Sequence, residues 1–262
     1  MKPVEMIALR RAQLSRVRDE RGFGMVELLA AMTVMLIGVM SLFALFQAGI
    51  VQVRRASTIT TAAALADAEM EKFRAIKYET IGLDDTQVAA TDTTYKNDPA
   101  YRADTTPATT TNTAIDAATT QVTVASASGF PAAAPFLIQI DSERMLVESG
   151  AGTTTWTVTR GVDSTVAATH SGSALVTQRQ RAHVPACGTA PCTTILPSRN
   201  VTGADGDSYR VDTYITWQQV ANSGGAATGR LLKLVTLVVR ENEAPYRKWA
   251  RISSAFDEST GK

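Results

Sequence analysis

The sequence predicts an α+β protein in which a long N-terminal helix packs on an antiparallel β-sheet, with a small all-β module inserted into the chain. Three observations predict this fold class. Residues 28–53 form an uncharged apolar run, a stripe of apolar residues at helical spacing follows it, and short β-branched stretches fill much of the remainder. A length of 262 residues accommodates a membrane helix and one or two small domains.

The uncharged run is long enough to cross a membrane. Its 26 residues would extend about 39 Å as a helix, against a hydrocarbon core of about 30 Å. Residues 1–22 carry six Lys or Arg side chains against three acidic ones. This basic flank predicts a cytoplasmic N-terminus with everything after Val53 outside. Arg54 and Arg55 then lie at the outer interface, where long cationic side chains are tolerated.

A single carboxylate, Glu27, lies at the start of this run. A charge in a membrane helix costs on the order of 2.5–3.5 kcal/mol at the centre and less near the end. Cleavage after Gly22 would free an α-amino group on Phe23, one helical turn from Glu27, and this cation would neutralise the carboxylate. An ordinary secretory signal has its cleavage site after a shorter core of about 7–15 residues. An uncleaved signal anchor fits the length and charge but leaves Glu27 unexplained.

The segment Arg-Gly-Phe-Gly-Met-Val-Glu at residues 21–27 resembles the processing site of type IV prepilins and pseudopilins. Proteins of that family have a short basic leader that ends in Gly, then Phe, with Glu as the fifth mature residue. Gly22, Phe23 and Glu27 match position for position, whereas Gly-Met-Val replaces the commoner Thr-Leu-Ile between them. The resemblance implies that prepilin peptidase cuts between Gly22 and Phe23 and N-methylates Phe23. It also implies that Glu27 docks the subunit against other pilin subunits during assembly.

The resemblance carries expectations about function and location. It implies a minor pilin of the pilus-modification type, first held in the inner membrane by one helix and then assembled into a type IV pilus or its tip or initiation complex at the cell surface. Its partners would be prepilin peptidase, other pilin subunits and the inner membrane. A pseudopilin of type II secretion and a pilin-anchored adhesive binding module are the alternatives.

The N-terminal helix is expected to continue beyond the membrane. The segment from Val51 to Thr80 has no Pro or Gly and is rich in alanine. Its apolar residues recur at spacings of three and four, as is typical of one face of an amphipathic helix: Ile59, Ala63, Ala66, Met70 and Phe73. We therefore expect one helix over residues 23–78, transmembrane over 28–53, whose second half packs on a globular domain.

Five short strand candidates predict a compact β-barrel or sandwich between residues 115 and 178. They are bounded by turn residues and comprise Gln121–Val124, Phe136–Ile140, Arg144–Val147, Thr155–Thr159 and Ala174–Thr177. The pattern Gly129-Phe130-Pro131, an acidic turn and then Trp156-Thr-Val-Thr-Arg-Gly resembles a small β module of phage virion and tail proteins. We expect residues 115–178 to be an insertion in this chain.

The remaining segments are expected to form the pilin-like globular domain, residues 79–114 and 179–262. Strands are predicted at Tyr209–Trp217, Leu231–Val239 and Ala250–Phe256, because apolar residues alternate there or run continuously. Residues 79–113 are polar and contain Pro99 and Pro107, which predicts an extended loop with little fixed structure.

The chain has two cysteines, Cys187 and Cys192. In an exported domain this pair predicts a disulfide, and so short a loop would stabilise the fold by about 2 kcal/mol. Zinc is the alternative, but it needs four-ligand geometry and His183 is the only histidine nearby.

Other chemistry is not indicated. Neither histidine, His170 or His183, has a metal-ligand spacing, and both are expected at the surface. The sequence contains no phosphate-binding loop, nucleophile elbow or H-E-x-x-H motif, so no cofactor is predicted. The net charge of +1 and the isolated pair Arg247-Lys248 give no expectation of nucleic-acid binding. We expect the chain to be the substrate of an enzyme and not an enzyme itself.

Overall fold

The structure is a computed structural model with two compact units, divided after Ala56. It describes residues 24–84, 88–89, 91–102, 107–163, 165–182, 195–221 and 227–258. The fold is α+β, with one long N-terminal helix and two antiparallel sheets. This confirms the predicted fold class.

Helix α1 runs from Met25 to Ala75 and is followed by a 3₁₀ turn at Tyr78–Thr80. It carries an 18-residue window of mean hydropathy 2.4, none of it buried, so it is long and apolar enough to cross a membrane. The hydroxyls of Thr33 and Ser41 donate to carbonyl oxygens of the same helix, each at 2.8 Å. These hydroxyls therefore need no water, which suits a segment placed in lipid.

The second half of α1 contributes a buried row to a hydrophobic core. The row consists of Ala62, Ala66, Met70 and Phe73, with Glu69 beside it. Ala66, Met70 and Phe73 were predicted for this face. The assignment of the other two predicted residues is wrong, because Ile59 is 43% exposed and Ala63 is also exposed. Because an α-helix has 3.6 residues per turn, the buried face of α1 includes Ala62 instead.

Six strands form the first sheet, in the order β1-β6-β3-β4-β5-β2. They are β1 (Ala108–Thr110), β2 (Gln121–Thr123), β3 (Phe136–Ile140), β4 (Glu143–Ser149), β5 (Thr155–Thr159) and β6 (Leu175–Arg179). A bridge between Thr111 and Val124 joins the edge strands β1 and β2. The Asn112 N–H donates to the Thr123 carbonyl and the Ala125 N–H to the Thr110 carbonyl, both at 2.8 Å. The sheet thus closes into a barrel, which removes its free edges.

The barrel has its own hydrophobic core. Aromatic rings of Phe130, Phe136 and Trp156 meet at its centre, with ring centroids 5.0–6.2 Å apart. All five predicted strands are present, and β1 was missed. The barrel strands run from Ala108 to Arg179, a wider span than the 115–178 predicted for the inserted module. Independent folding of that module stays a prediction.

Four strands form the second sheet, in the order β10-β9-β8-β7. They are β7 (Ser198–Thr202), β8 (Ser208–Ala221), β9 (Ala227–Glu241) and β10 (Lys248–Phe256), all antiparallel. One face packs on the second half of α1 through Val211, Ile215, Val235, Leu237 and Val239. We call residues 57–75 of α1 with this sheet the helix–sheet core. Three of its strands were predicted, and β7 was not.

Residues 91–101 pack against the other face of this sheet, so the expectation of little fixed structure there is wrong. It contains a short helix, α2 (Thr93–Lys96), whose N-cap Asp92 accepts a hydrogen bond from the Tyr95 N–H at 2.9 Å. Tyr95 is buried and its ring stacks on Tyr214 with centroids 4.4 Å apart. Its hydroxyl donates to the Thr213 carbonyl at 2.6 Å. A long-range aromatic contact therefore orders a polar segment.

Candidate assembly segment and buried charge clusters

Of the predicted site residues, Glu27 lies within the part of the chain that the structure describes. Glu27 lies in the first turn of α1, where its backbone N–H donates to the Gly24 carbonyl at 2.9 Å. A carboxylate there is favourable, because a helix N-terminus carries partial positive charge. The predicted cleavage residues Gly22 and Phe23 lie outside the described residues, as does the predicted disulfide pair Cys187 and Cys192. Those predictions stay open.

Glu27 is a lone charge on an exposed apolar surface. Its neighbours Met25 and Val26 are 79% and 80% exposed, and large apolar side chains remain exposed as far as Val53. Among the described residues, Glu27 has no ion-pair partner. So large an apolar surface is unstable in water and indicates contact with lipid or with other proteins. In that environment the carboxylate needs a cation supplied by another group.

A charge cluster lies inside the barrel and centres on Glu143, whose side chain is fully buried. Arg160 binds both carboxylate oxygens, with Nε to Oε1 at 2.7 Å and Nη2 to Oε2 at 2.8 Å. Backbone N–H groups of Gly161 and Ala168 donate to the same oxygens at 3.0 and 2.9 Å. Burial alone would raise the pKa of Glu143, but the bonds from Arg160, Ala168, His170 and Gly161 lower it to about 2.

The expectation that His170 lies at the surface is wrong. Its side chain is 1% exposed, with Nε2 at 2.8 Å from Glu143 Oε2 and Nδ1 at 2.7 Å from Asp141 Oδ2. Its backbone exchanges hydrogen bonds with Ile115, which holds it in the barrel wall. The two carboxylates are 27 and 29 residues away in sequence. No local pattern around His170 could indicate them.

A second charge cluster fixes residues 91–101 to the sheet. Asp98, fully buried, contacts Arg240 Nη2 at 2.5 Å and Lys248 Nζ at 2.8 Å. Arg240 also donates from Nε to Asp212 at 2.7 Å. Burial opposes ionisation of Asp98, but hydrogen bonds from Lys248, the Ala100 N–H and Arg240 hold the pKa of its carboxyl below its usual range.

These clusters favour a structural role over catalysis. The Glu143 and Asp98 carboxylates are saturated with donors and have no open side for a substrate. Over the described ranges, no group of three or more His, Cys, Asp or Glu side chains is arranged to hold a metal ion. Glu27, in contrast, has no described ion-pair partner.

No protein-family model matches the chain, and no curated protein matches it either. The pilin resemblance accordingly rests on residues 21–27 and on the apolar helix that follows them.

Proposed function

We propose that the protein is a minor pilin subunit, processed by prepilin peptidase and assembled into a type IV pilus or its tip or initiation complex. The observation that carries this proposal is the Gly22-Phe23 pair followed by Glu27 at the start of an uncharged, membrane-length helix. A secretory signal or a plain anchor does not explain a carboxylate at this position.

The helix serves two stages in this proposal. Before assembly, residues 28–53 hold the subunit in the inner membrane, with the basic leader inside and the sheet and barrel outside. After extraction, the same apolar surface packs against neighbouring subunits in the filament. The exposed side chains along this half of α1 have suitable chemistry for both environments. The chain itself carries out no catalysis and binds no nucleic acid in this account.

Glu27 is assigned to docking. Its carboxylate lacks a described cation, and cleavage before Phe23 creates an α-amino group. The amino group of Phe23 in an adjoining subunit neutralises Glu27 when the two helices align, because an ion pair in lipid avoids leaving either charge alone. Docking in the wrong axial position leaves both charges unpaired, so the pair also sets the register between subunits.

The test is the substitution Glu27→Ala, with Glu71→Ala as the matched control. Glu71 is an exposed carboxylate later in the same helix, where it pairs with Arg74. We expect Glu27→Ala to leave cleavage and membrane insertion intact and to reduce incorporation into filaments by at least about tenfold. Incorporation is measured by immunoblotting sheared filaments against whole-cell protein. Normal incorporation of Glu27→Ala would contradict the assigned role.

A binding role for the barrel is a second candidate function that can coexist with the first. The structure contributes to it a barrel closed around its own core, a compact body beyond the helix–sheet core. In this version the pilin part is the stalk and the barrel contacts a receptor or surface. Removal of the barrel should then leave filaments assembled and abolish only adhesion.

A further inference from the structure

Lys233 is a buried lysine in the middle of strand β9, with 1% of its side chain exposed. Its ammonium group donates to the Tyr78 carbonyl at 3.0 Å. It also lies over the ring of Tyr78 at 4.7 Å and over the ring of Trp217 at 5.1 Å from the centroids. These contacts place the cation between the end of α1 and the sheet, in a site that favours a positive charge through the ring faces.

The carboxylate that pairs with Lys233 comes from the barrel. Asp163 follows β5 and lies 3.4 Å from Lys233, measured from Oδ1 to Nζ. Its other oxygen accepts from Arg144 Nη1 of the barrel at 2.6 Å. The Asp163 side chain is 2% exposed and that of Arg144 is 9% exposed. One buried carboxylate is thus shared by a cation of the barrel and a cation of the helix–sheet core.

Burial disfavours the charged forms of both Lys233 and Asp163. Desolvation lowers the pKa of Lys233, and Asp163 opposes that shift. Desolvation raises the pKa of Asp163, and Lys233 and Arg144 oppose that shift in turn. Separating the two bodies would leave the buried Lys233 without its carboxylate, whereas Asp163 would keep only Arg144. The contact therefore favours one fixed placement of the barrel.

The chain connections support the same placement. Immediately after β6, the Gln180 carbonyl accepts from the Trp217 N–H of β8 at 2.8 Å. The Ala182 N–H donates to the Ile215 carbonyl at 2.9 Å. At the other connection, the Gln178 N–H donates to the Pro107 carbonyl at 3.1 Å, so the chain enters and leaves the barrel at one point. The residues that follow β6 are thus hydrogen-bonded directly to strand β8 of the second sheet.

We propose that Lys233 locks the barrel to the helix–sheet core through Asp163, so that the two bodies move as one and a load on the barrel passes directly to the sheet and α1. This inference does not depend on the pilin proposal. It gives Lys233, an unexpected charge within an apolar strand, a role in coupling the two bodies.

Hydrogen exchange of the full chain in detergent micelles, read by mass spectrometry, tests the lock. The variants are Lys233→Met and Asp163→Asn. Asn suits position 163 because the backbone there has φ of +56°, a region that Asn tolerates. The control is Lys77→Met, which replaces an exposed lysine just after α1 and leaves Lys233 and Asp163 unchanged.

We expect both lock variants to speed exchange of the Ala182 and Trp217 amides by about tenfold or more, since these bonds join the two bodies. Lys233→Met should not change exchange within the β3–β4 pair, and the control should match the wild type. If Lys233→Met does not fold, the result for Asp163→Asn decides the test. Asp163 belongs to the barrel, whereas the hydrogen bonds whose exchange is measured lie on the sheet. An effect of Asp163→Asn confined to barrel amides, or wild-type exchange in both lock variants, would overturn the proposal.

Discussion

The barrel (Ala108–Arg179) and the first half of α1 (Met25–Val53) differ in where their apolar side chains lie. In the barrel, Trp156, Ile138 and Met145 are fully buried and both sheet edges are joined. In the first half of α1, large apolar side chains are 49–80% exposed although the backbone forms a continuous helix. The barrel thus buries its apolar groups within the chain, whereas the first half of α1 leaves its apolar groups exposed. A self-contained body and an apolar helix without packing partners of its own occur in one polypeptide.

Their charged groups differ in the same way. Glu143 in the barrel has Arg160, His170 and two backbone N–H groups as donors. Glu27 at the start of α1 has no cation within the described part of the chain. A carboxylate with a complete set of donors stabilises its own fold. One without them is available to a second molecule, and this contrast leads to the following predictions.

The largest effect is expected from breaking the barrel cluster. Glu143→Gln removes the charge that compensates Arg160 and should lower the free energy of unfolding of the barrel by about 3–5 kcal/mol, as for other buried ion pairs that lose one partner. Urea unfolding of the full chain in micelles, read by exchange of barrel peptides, measures this. Glu148→Gln, an exposed carboxylate on the same strand, should change stability by no more than about 0.5 kcal/mol. Equal effects of the two substitutions would refute the cluster's role.

A lysine placed on each half of α1 tests the contrast within the helix. Leu36→Lys should oppose membrane insertion by up to about 2.5–3.5 kcal/mol, because residue 36 lies well inside the apolar run. Ala64→Lys, at an exposed position of the second half, should leave insertion unchanged. Alkaline extraction of membranes followed by immunoblotting measures the membrane-bound fraction. Equal membrane retention of the Leu36→Lys variant and the wild type would argue against a spanning segment.

The smallest of these effects concerns pH. Because the pKa of Glu143 is lowered from 4.5 to about 2 in the fold, its contribution is fully present above the unfolded pKa and is lost as pH falls towards 2. From pH 7 to pH 3 the stability difference between wild type and Glu143→Gln should shrink by about 2 kcal/mol. If this stability difference stays constant from pH 7 to pH 3, the pKa of Glu143 is not lowered in the fold.

The sequence was sufficient for elements whose signal is local. The apolar run and the lack of Pro and Gly indicated α1, and β-branched residues between turn residues indicated five of the six barrel strands. Strands β1 (Ala-Thr-Thr) and β7 (Ser-Arg-Asn-Val-Thr) were missed because their polar composition also suits a loop. Neither strand contains a fully buried residue, so neither needs apolar alternation.

Features that depend on distant contacts could not be predicted. Tyr95 is ordered by Thr213, which lies 118 residues away, and Lys233 is paired with Asp163, 70 residues away. Of the candidate site, the motif around Glu27 was recognisable because its residues are adjacent in sequence. The buried clusters around Glu143 and Asp98 were not, since each is assembled by sheet register and packing.

The N-terminus of the mature protein tests the central claim most directly. Protein extracted from membranes is purified, digested and analysed by mass spectrometry for its first peptide. Cleavage between Gly22 and Phe23 would leave a protein of 240 residues that begins with N-methylated Phe23. This result is predicted if the chain is a prepilin. A mature N-terminus beyond residue 45 would identify an ordinary signal peptide, and an intact Met1 would identify an uncleaved anchor; either result would contradict the proposed function.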